Sequence, residues 1–172
     1  MATASLAEIP DGAAVFIDAN VFIYHFSGPS PLSPACSALL QRVEDGVLRG
    51  FTSTVVLIEV LHRLMILEAV GSLRLHPREA TRYLKEHPEH VKSLRAHHQA
   101  PERIHQMAVE VVSVGLEEIE RSQHVKARYG LLTNDALLVT SMQRDGLTAL
   151  ASNDPDFDRV EGISLYRPSP SG

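Results

Sequence analysis

An α/β fold built on a largely parallel sheet is predicted by three features of the sequence. Short stretches such as "AAVFID", "AVEVVSV" and "LTALAS" are apolar in unbroken runs rather than alternating, the pattern of strands covered on both faces. Segments with helical spacing lie between them, so strand and helix alternate along most of the chain. Gly, Ser and Pro punctuate the junctions. The chain has 172 residues, 44% of them hydrophobic, enough for one domain with a real core. We read residues 1–172 as a single domain, with an N-terminal arm over 1–13, a polar helical insertion over about 73–107 and a loose tail over 168–172.

The arm is "MATASLAEIPDG". "AAVFID" is the first strand and "ANVFIYHF" departs from it as a short helix. "SGPSPLSP" is a loop. "PACSALLQRVEDGVLRG" has helical spacing, with Ala35, Leu39, Leu40, Val43 and Val47 on one side and Gly50 marking its end. "GFTST" is a brief strand. The run that follows, "VVLIEVLHRLMILEAVG", is apolar almost all round and predicts a deeply packed helix.

From about Leu73 to Met107 the chain is polar and rich in His, and Pro77, Pro88 and Pro101 divide it into two or three short helices. "AVEVVSV" is a second buried strand. "GLEEIERSQHVKARYG" is an amphipathic helix with acids in its first turn and bases in its last, as the helix dipole favours. "LLTNDALLVTSMQRDG" is another helix, which Thr133 or Asn134 can cap. Its residues Ala136, Leu137, Val139 and Thr140 run inward, and Gly146 ends it. "LTALAS" is a strand, "NDPDFDRVEG" a loop with Phe157 as its apolar plug, and "ISLYRP" a last short strand.

Composition narrows the function. The net charge is −5, against tight non-specific binding of nucleic acid but compatible with an acidic pocket that carries cations. Cys36 is the one cysteine, so a disulfide within the chain and a thiolate metal cluster are excluded; it reads as a small buried apolar residue. No apolar run is long enough to span a bilayer, and the start is no basic-then-apolar leader. These features fit a cytoplasmic protein with no membrane partner.

"VFIDANVFIY" poses the central question, because a carboxylate inside a run meant for burial needs a partner or a cation. Asp18 ends the first strand, and Asp154 lies just past "LTALAS". Parallel strands end at one crevice, where ligands bind in open α/β sheets. Asp135, at a helix start, and Glu59, one to two turns into the apolar helix, can face the same edge. Four carboxylates in one pocket cannot all stay charged without cations between them. An oxygen-only donor set suits a hard ion such as Mg²⁺ or Mn²⁺. One or two such ions can activate water and stabilise both oxygens of a phosphodiester displacement. In the two-ion form Asp18, Asp135 and Glu59 hold the first ion and Asp154 helps to place a second. Asn20 can orient a carboxylate, and Asp156 can assist a metal through water.

The blocks "FIDANVFIYHF", "TSTVVLIEVL", "YGLLTNDALLVTSMQRDG" and "LASNDPDFDRV", in that order, resemble the motifs of the PIN-domain nucleases, most closely the VapC-type ribonuclease toxins. The resemblance spans roughly Ala14 to Tyr166. It places the family's acidic tetrad on Asp18, Glu59, Asp135 and Asp154, and its polar support on Asn20 and Ser152. It implies a three-layer α/β/α fold with a central, mostly parallel sheet. It also implies Mg²⁺- or Mn²⁺-dependent endonucleolytic cleavage of RNA, frequent homodimers and, in the toxin branch of type II toxin–antitoxin pairs, a neutralising antitoxin. A stand-alone PIN nuclease in RNA processing and a non-catalytic PIN-fold module binding RNA or protein are the alternative readings. The chain departs from the compact toxin pattern in its arm and in the 73–107 segment.

Each acid also has an ordinary structural reading. Asp18 can cap the next helix, Glu59 can pair with Arg63 one turn on, Asp135 can favour the helix dipole, and Asp154 before Pro155 can be a turn residue. Asp158 reads as exposed or paired with Arg159. His87, His90, His97, His98 and His105 lack the spacing and the cysteines of a zinc site and read as surface. Lys85, Lys92, Arg95, Arg103 and His90 form either a phosphate-contacting patch or a charged solvent face, since Glu86, Glu89 and Glu102 are interspersed. A haloacid-dehalogenase-type phosphatase would need an Asp where Asn20 stands, a receiver would need a Lys after a late strand, and dinucleotide binding a Gly-rich first turn. None is present.

Overall fold

Asp18 and its neighbours owe their position to a parallel sheet whose strands are short and whose chain path reverses beside the second of them. The computed structural model describes residues 4–170. In chain order its strands are β1 (Ala4–Ser5), β2 (Ala14–Ile17), β3 (Arg49–Ser53), β4 (Glu110–Val112), β5 (Ala149–Ala151) and β6 (Ser164–Arg167). Helices α1 (Ala19–Phe26) and α2 (Ser33–Glu44) join β2 to β3. Between β3 and β4 come α3 (Thr54–Leu73), α4 (Pro77–Glu86), α5 (Pro88–Val91) and α6 (Ala100–Gln106). Helices α7 (Leu116–Tyr129) and α8 (Thr133–Arg144) return the chain to β5.

All pairings are parallel, in the order β1-β6-β5-β2-β3-β4. From β2 the chain builds outward through β3 to β4, then returns to the other side of β2 to lay down β5. The crevice beyond the ends of β2 and β5 is therefore the topological switch point, where open α/β sheets bind ligands. Helices cover both sides of the sheet, as the sequence predicts. Val15, Phe16, Ile17, Leu150 and Ala151 are fully buried between them. No helix among the described residues is long and apolar enough to cross a membrane.

Five expectations need correction. The arm is tied down: β1 pairs with β6, and Leu6 and Ile9 are buried. Ser5 and Glu8 form a capping box around the 3₁₀ turn Leu6–Glu8. Residues 1–3 of the arm and 171–172 of the tail lie outside the described residues. Gly50 does not end α2; Gly46, at φ +72°, makes that turn. Gly50 is inside β3, where a Cβ would stand 2.7 Å from Val43 Cγ1, so the strand and α2 approach as only glycine allows. Val43 is buried and β-branched and cannot swing aside. Gly50→Ala is expected to cost about 1–2 kcal/mol by overpacking, read as a lower denaturant midpoint at unchanged slope.

Helix α3 is not buried all round. Val56, Val60, Leu64 and Ala69 face inward, while Ile58 and Leu67 are 67% and 42% exposed. Strand β4 is an edge, with Glu110 exposed and Val111 and Val112 only half covered. Helix α8 begins one residue earlier than a Thr133 cap, and two earlier than an Asn134 cap, would place it. Leu132 is its N-cap and lends no side chain, and Thr133, already helical, accepts from Lys126 Nζ at 3.1 Å.

The polar segment forms short helices as predicted. A small apolar cluster of Ala69, Leu84 and Leu94 pins it to the far half of α3. Glu68 on α3 accepts from the backbone N–H of Arg95 and of Ala96 at 2.9 Å, holding the 3₁₀ turn Ala96–Gln99.

A candidate metal centre at the strand ends

β2 stops at Ile17 because Asp18 turns out of the sheet. Its backbone is extended and its Oδ1 accepts from the Ala19 N–H at 2.6 Å, so it caps α1. The structural reading of Asp18 is thus correct, yet it accounts for only one of its contacts. Oδ2 accepts from Ser152 Oγ at 2.6 Å and from Asn20 Nδ2 at 2.5 Å. Ser152 follows β5, so these bonds tie the ends of β2 and β5 together. Asn20 Oδ1 accepts from the Asn153 N–H at 3.0 Å, and Ser152 Oγ from the Asp154 N–H at 3.0 Å. Asn20 and Ser152 therefore fix both the Asp18 carboxylate and the start of the Asp154 loop. Three donors fill three of the roughly four acceptor positions of a carboxylate and leave room on Oδ1.

Asp154 accepts from the Asp156 N–H at 2.8 Å and caps the 3₁₀ turn Pro155–Arg159, held from below by the buried Phe157. The turn brings Asp156 back toward Asp135, in the first turn of α8. Carboxylate oxygens of Asp135, Asp154 and Asp156 lie within 4.8 Å of one another. Asp156 is thus more central than its sequence-level role as a supporting residue. It also pairs with Arg159, which stands one 3₁₀ turn away. Asp158 is exposed, one of its two expected readings, and its ion pair is with Arg167 at 2.6 Å rather than with Arg159.

Glu59, partly buried in the second turn of α3, does not pair with Arg63. Its Oε2 faces Asn134 Nδ2 at 3.5 Å, across a depression that Val55, Ile58, His62 and Arg63 also line. Its charge reaches both neighbouring acids. The Asp18 carboxyl is pushed up to about 6, mainly by burial, with the hydrogen bonds from Ser152 and Ala19 opposing and the charges of Glu59 and Asp135 adding. The Asp135 carboxyl also rises to about 6, through burial and then the charges of Asp154, Glu59 and Asp156. Acids raised by burial and by one another mark a site lacking positive charge.

All seven residues singled out from the sequence thus stand around one crevice. The trio Asp135, Asp154 and Asp156 is the tightest group, and Asp18 is latched to it through Asn20 and Ser152. Sequence reasoning missed Asn153, whose Nδ2 donates to the Tyr24 hydroxyl at 3.2 Å and braces the loop against α1. Its place directly between Ser152 and Asp154 was the available signal.

Residues 15–163 match the family described as PIN domain. Ribonuclease VapC2 of Methanocaldococcus jannaschii is 26% identical over 153 residues, which is 88% of this chain and 91% of that protein. VapC20 of Mycobacterium tuberculosis, described as a sarcin-ricin loop cleaving toxin, superposes with TM-score 0.61 at 15% identity, over 88% of this chain and 98% of that one. A toxin–antitoxin complex from Klebsiella pneumoniae matches with TM-score 0.52 at 20% identity, covering 91% and 99% of the two chains. VapBC2 from Rickettsia felis, bound to a DNA fragment from its promoter, matches with TM-score 0.52 at 14% identity, covering 90% and 98%. These three likenesses are of fold.

Proposed function

The chain belongs to the PIN-domain family, and from that premise we propose that it is a metal-dependent endoribonuclease, the toxin of a type II toxin–antitoxin pair. The observation that carries the reading is the crevice itself, where five carboxylates from four segments converge at the switch point and hydroxyl and amide groups hold two of the segments in register. The 26% identical ribonuclease, matched over nearly its full length, supports RNA as the substrate. A cognate antitoxin, a homodimer and a cytoplasmic location belong to the same proposal.

The donor set fits a hard divalent cation, Mg²⁺ or Mn²⁺. It is all oxygen, three of its carboxylates lie within 4.8 Å of each other, and two of its acids are raised by burial and by the neighbouring carboxylates. Asp135, Asp154 and Asp156 would hold such an ion, with Asp18 and Glu59 completing the negative site. A divalent ion bound there supplies Lewis acidity and lowers the pKa of water for in-line attack on a phosphodiester.

The chain's own residues do the positioning. Asp18 is fixed by Asn20 and Ser152, so its carboxylate does not reorganise when substrate arrives. Arg159 holds Asp156 and sets the angle at which that carboxylate enters the site. Asn134, directly before Asp135, donates its Nδ2 to Glu59 Oε2 at 3.5 Å and so holds that carboxylate at the mouth of the site.

The test uses a closed circular RNA, which only an endonuclease can open. Purified protein with Mg²⁺ or Mn²⁺ is expected to linearise it and chelator to stop it. Intact circles under every condition, together with no Mn²⁺ binding by calorimetry, would overturn the proposal.

A further inference from the structure

The chain's charge is unevenly placed. Residues 73–107 carry seven of the sixteen Lys and Arg but only four of the twenty-one Asp and Glu, a net of +3 within a protein of net −5. That segment is pinned to α3, the same helix that delivers Glu59 to the carboxylates. The face of α3 that leads from one to the other is Glu59, His62, Arg63 and Ile66, spaced as neighbours on one side of a helix.

Two depressions lie along this face. The first, of about 370 Å³, holds Glu59, Arg63 and Asn134 at the rim of the carboxylates. The second, of about 300 Å³, lies between α3 and the polar segment and is walled by Met65, Ile66, Leu84 and Val91, with Lys85 at its edge. His62 lines both, so they are neighbours along the helix. Among the described residues no acid pairs with Arg63 or Lys85, although Glu59 stands one turn before Arg63 and Glu86 beside Lys85. Glu59 is turned instead toward Asn134. Both cations are exposed on a path that begins at the reacting centre.

We infer that this face is the track for the single-stranded RNA on one side of the scissile bond, with Arg63 and Lys85 on successive phosphates and an unstacked base in the apolar depression between α3 and α4. The occupant is a polyanion with flat apolar bases, the one strand chemistry that matches free cations alternating with an apolar hollow. The 73–107 segment is then the part of the protein that selects the RNA, while the carboxylates cut it. This rests on the nuclease reading above.

The test compares Arg63→Ala, Lys85→Ala and their combination with Arg49→Ala, which removes an exposed charge from the start of β3, at the end of the strands opposite the carboxylates. Binding of a labelled single-stranded oligoribonucleotide of mixed sequence is measured against salt in the uncleaving Asp135→Asn background, and cleavage in the wild-type background. The combined variant is expected to lower the salt slope by about 1.4, since each phosphate contact on a single strand contributes about 0.7. Its cleavage should fall with KM, not kcat, and the Arg49 variant should match the parent. Binding, slope and cleavage like those of Arg49→Ala would overturn the track while leaving the nuclease intact. A change of oligomeric state without loss of RNA affinity would overturn it in favour of a contact between copies. A parent protein that neither binds nor cuts RNA would overturn both readings.

Discussion

Asp135→Asn is expected to cut RNA cleavage by about a thousandfold or more while making the metal-free protein more stable. The loss follows from position. Asp135 stands in the group of three carboxylates with oxygens within 4.8 Å, so an amide there removes both a charged oxygen donor and the negative charge that draws a divalent ion. Losing one preorganised electrostatic group costs about 2.7–4 kcal/mol of transition-state stabilisation even where no ion is involved. The gain follows from the same crowding. The Asp135 carboxyl is raised to about 6 by burial and by Asp154, Glu59 and Asp156, so without an ion its ionised form strains the fold near neutral pH. Asparagine has nearly the same shape and no charge to repel. After screening at this partly exposed position, relief of about 1 kcal/mol is expected. Urea unfolding in chelator and single-turnover cleavage in Mn²⁺ read the two effects separately. Loss of activity accompanied by loss of stability would mean that Asp135 acts through the fold of α8 rather than at the reacting phosphate.

The opposite signs explain why the carboxylates could be found in the sequence. A chain that keeps Asp18 and Glu59 inside apolar runs, and Asp135 at the head of one, retains acids that the hydrophobic pattern does not call for, and such residues stand out against it; Asp154 was found by its place just past a strand end. The strand and helix succession was legible for a related reason: β2 and β5 lie in the middle of the sheet, and their unbroken apolar runs reflect cover on both faces. What failed to show was decided by contacts across the chain. "AVEVVSV" has the composition of a central strand, yet it lies at the edge, and only the chain path sets that. Gly50 looks like a helix stop until Val43 is seen against it. Leu6 and Ile9 are two branched apolar residues among small and polar neighbours, too few to announce that the arm joins the sheet. Asp156 showed only as an assisting acid, because the 3₁₀ turn that folds it back toward Asp135 has no period to read. The exposure of Ile58 and Leu67 was invisible too, since an apolar helix reads as buried whether or not the molecule covers both its sides.

In chelator the protein is expected to lose stability as pH rises from about 4 to about 7, and a divalent ion should reverse that trend. The carboxyls of Asp18 and Asp135 sit at about 6 in the folded chain, against an ordinary value of 3.8. The folded state therefore holds their protons more tightly than the unfolded state does. That stabilisation is fully present below pH 3.8 and is lost as pH rises through 6. For Asp18 the shift of about two units corresponds to roughly 2–3 kcal/mol. His25 opposes it, because burial and the Arg103 charge lower its pKa and so add stability as pH rises toward 6.5. Glu118, held at about 2 by Arg144 and the Gly115 N–H, opposes it only at the acid end of the window, since its stabilisation is complete above about 4.5 and is lost as pH falls from there through 2. A bound divalent ion inverts the order, since it needs the ionised carboxylates. At pH about 7.5, an ion at a hundred times its dissociation constant adds about 2.7 kcal/mol. Near pH 4.5 protons occupy the same oxygens and the added stability should nearly vanish. Urea midpoints with Mn²⁺ and with chelator, taken across this range, give the difference directly. An equal gain at both ends would place the ion on groups that do not titrate here, away from Asp18 and Asp135. No gain at any pH would remove the cation from the site, and with it the reason for keeping five carboxylates in one crevice.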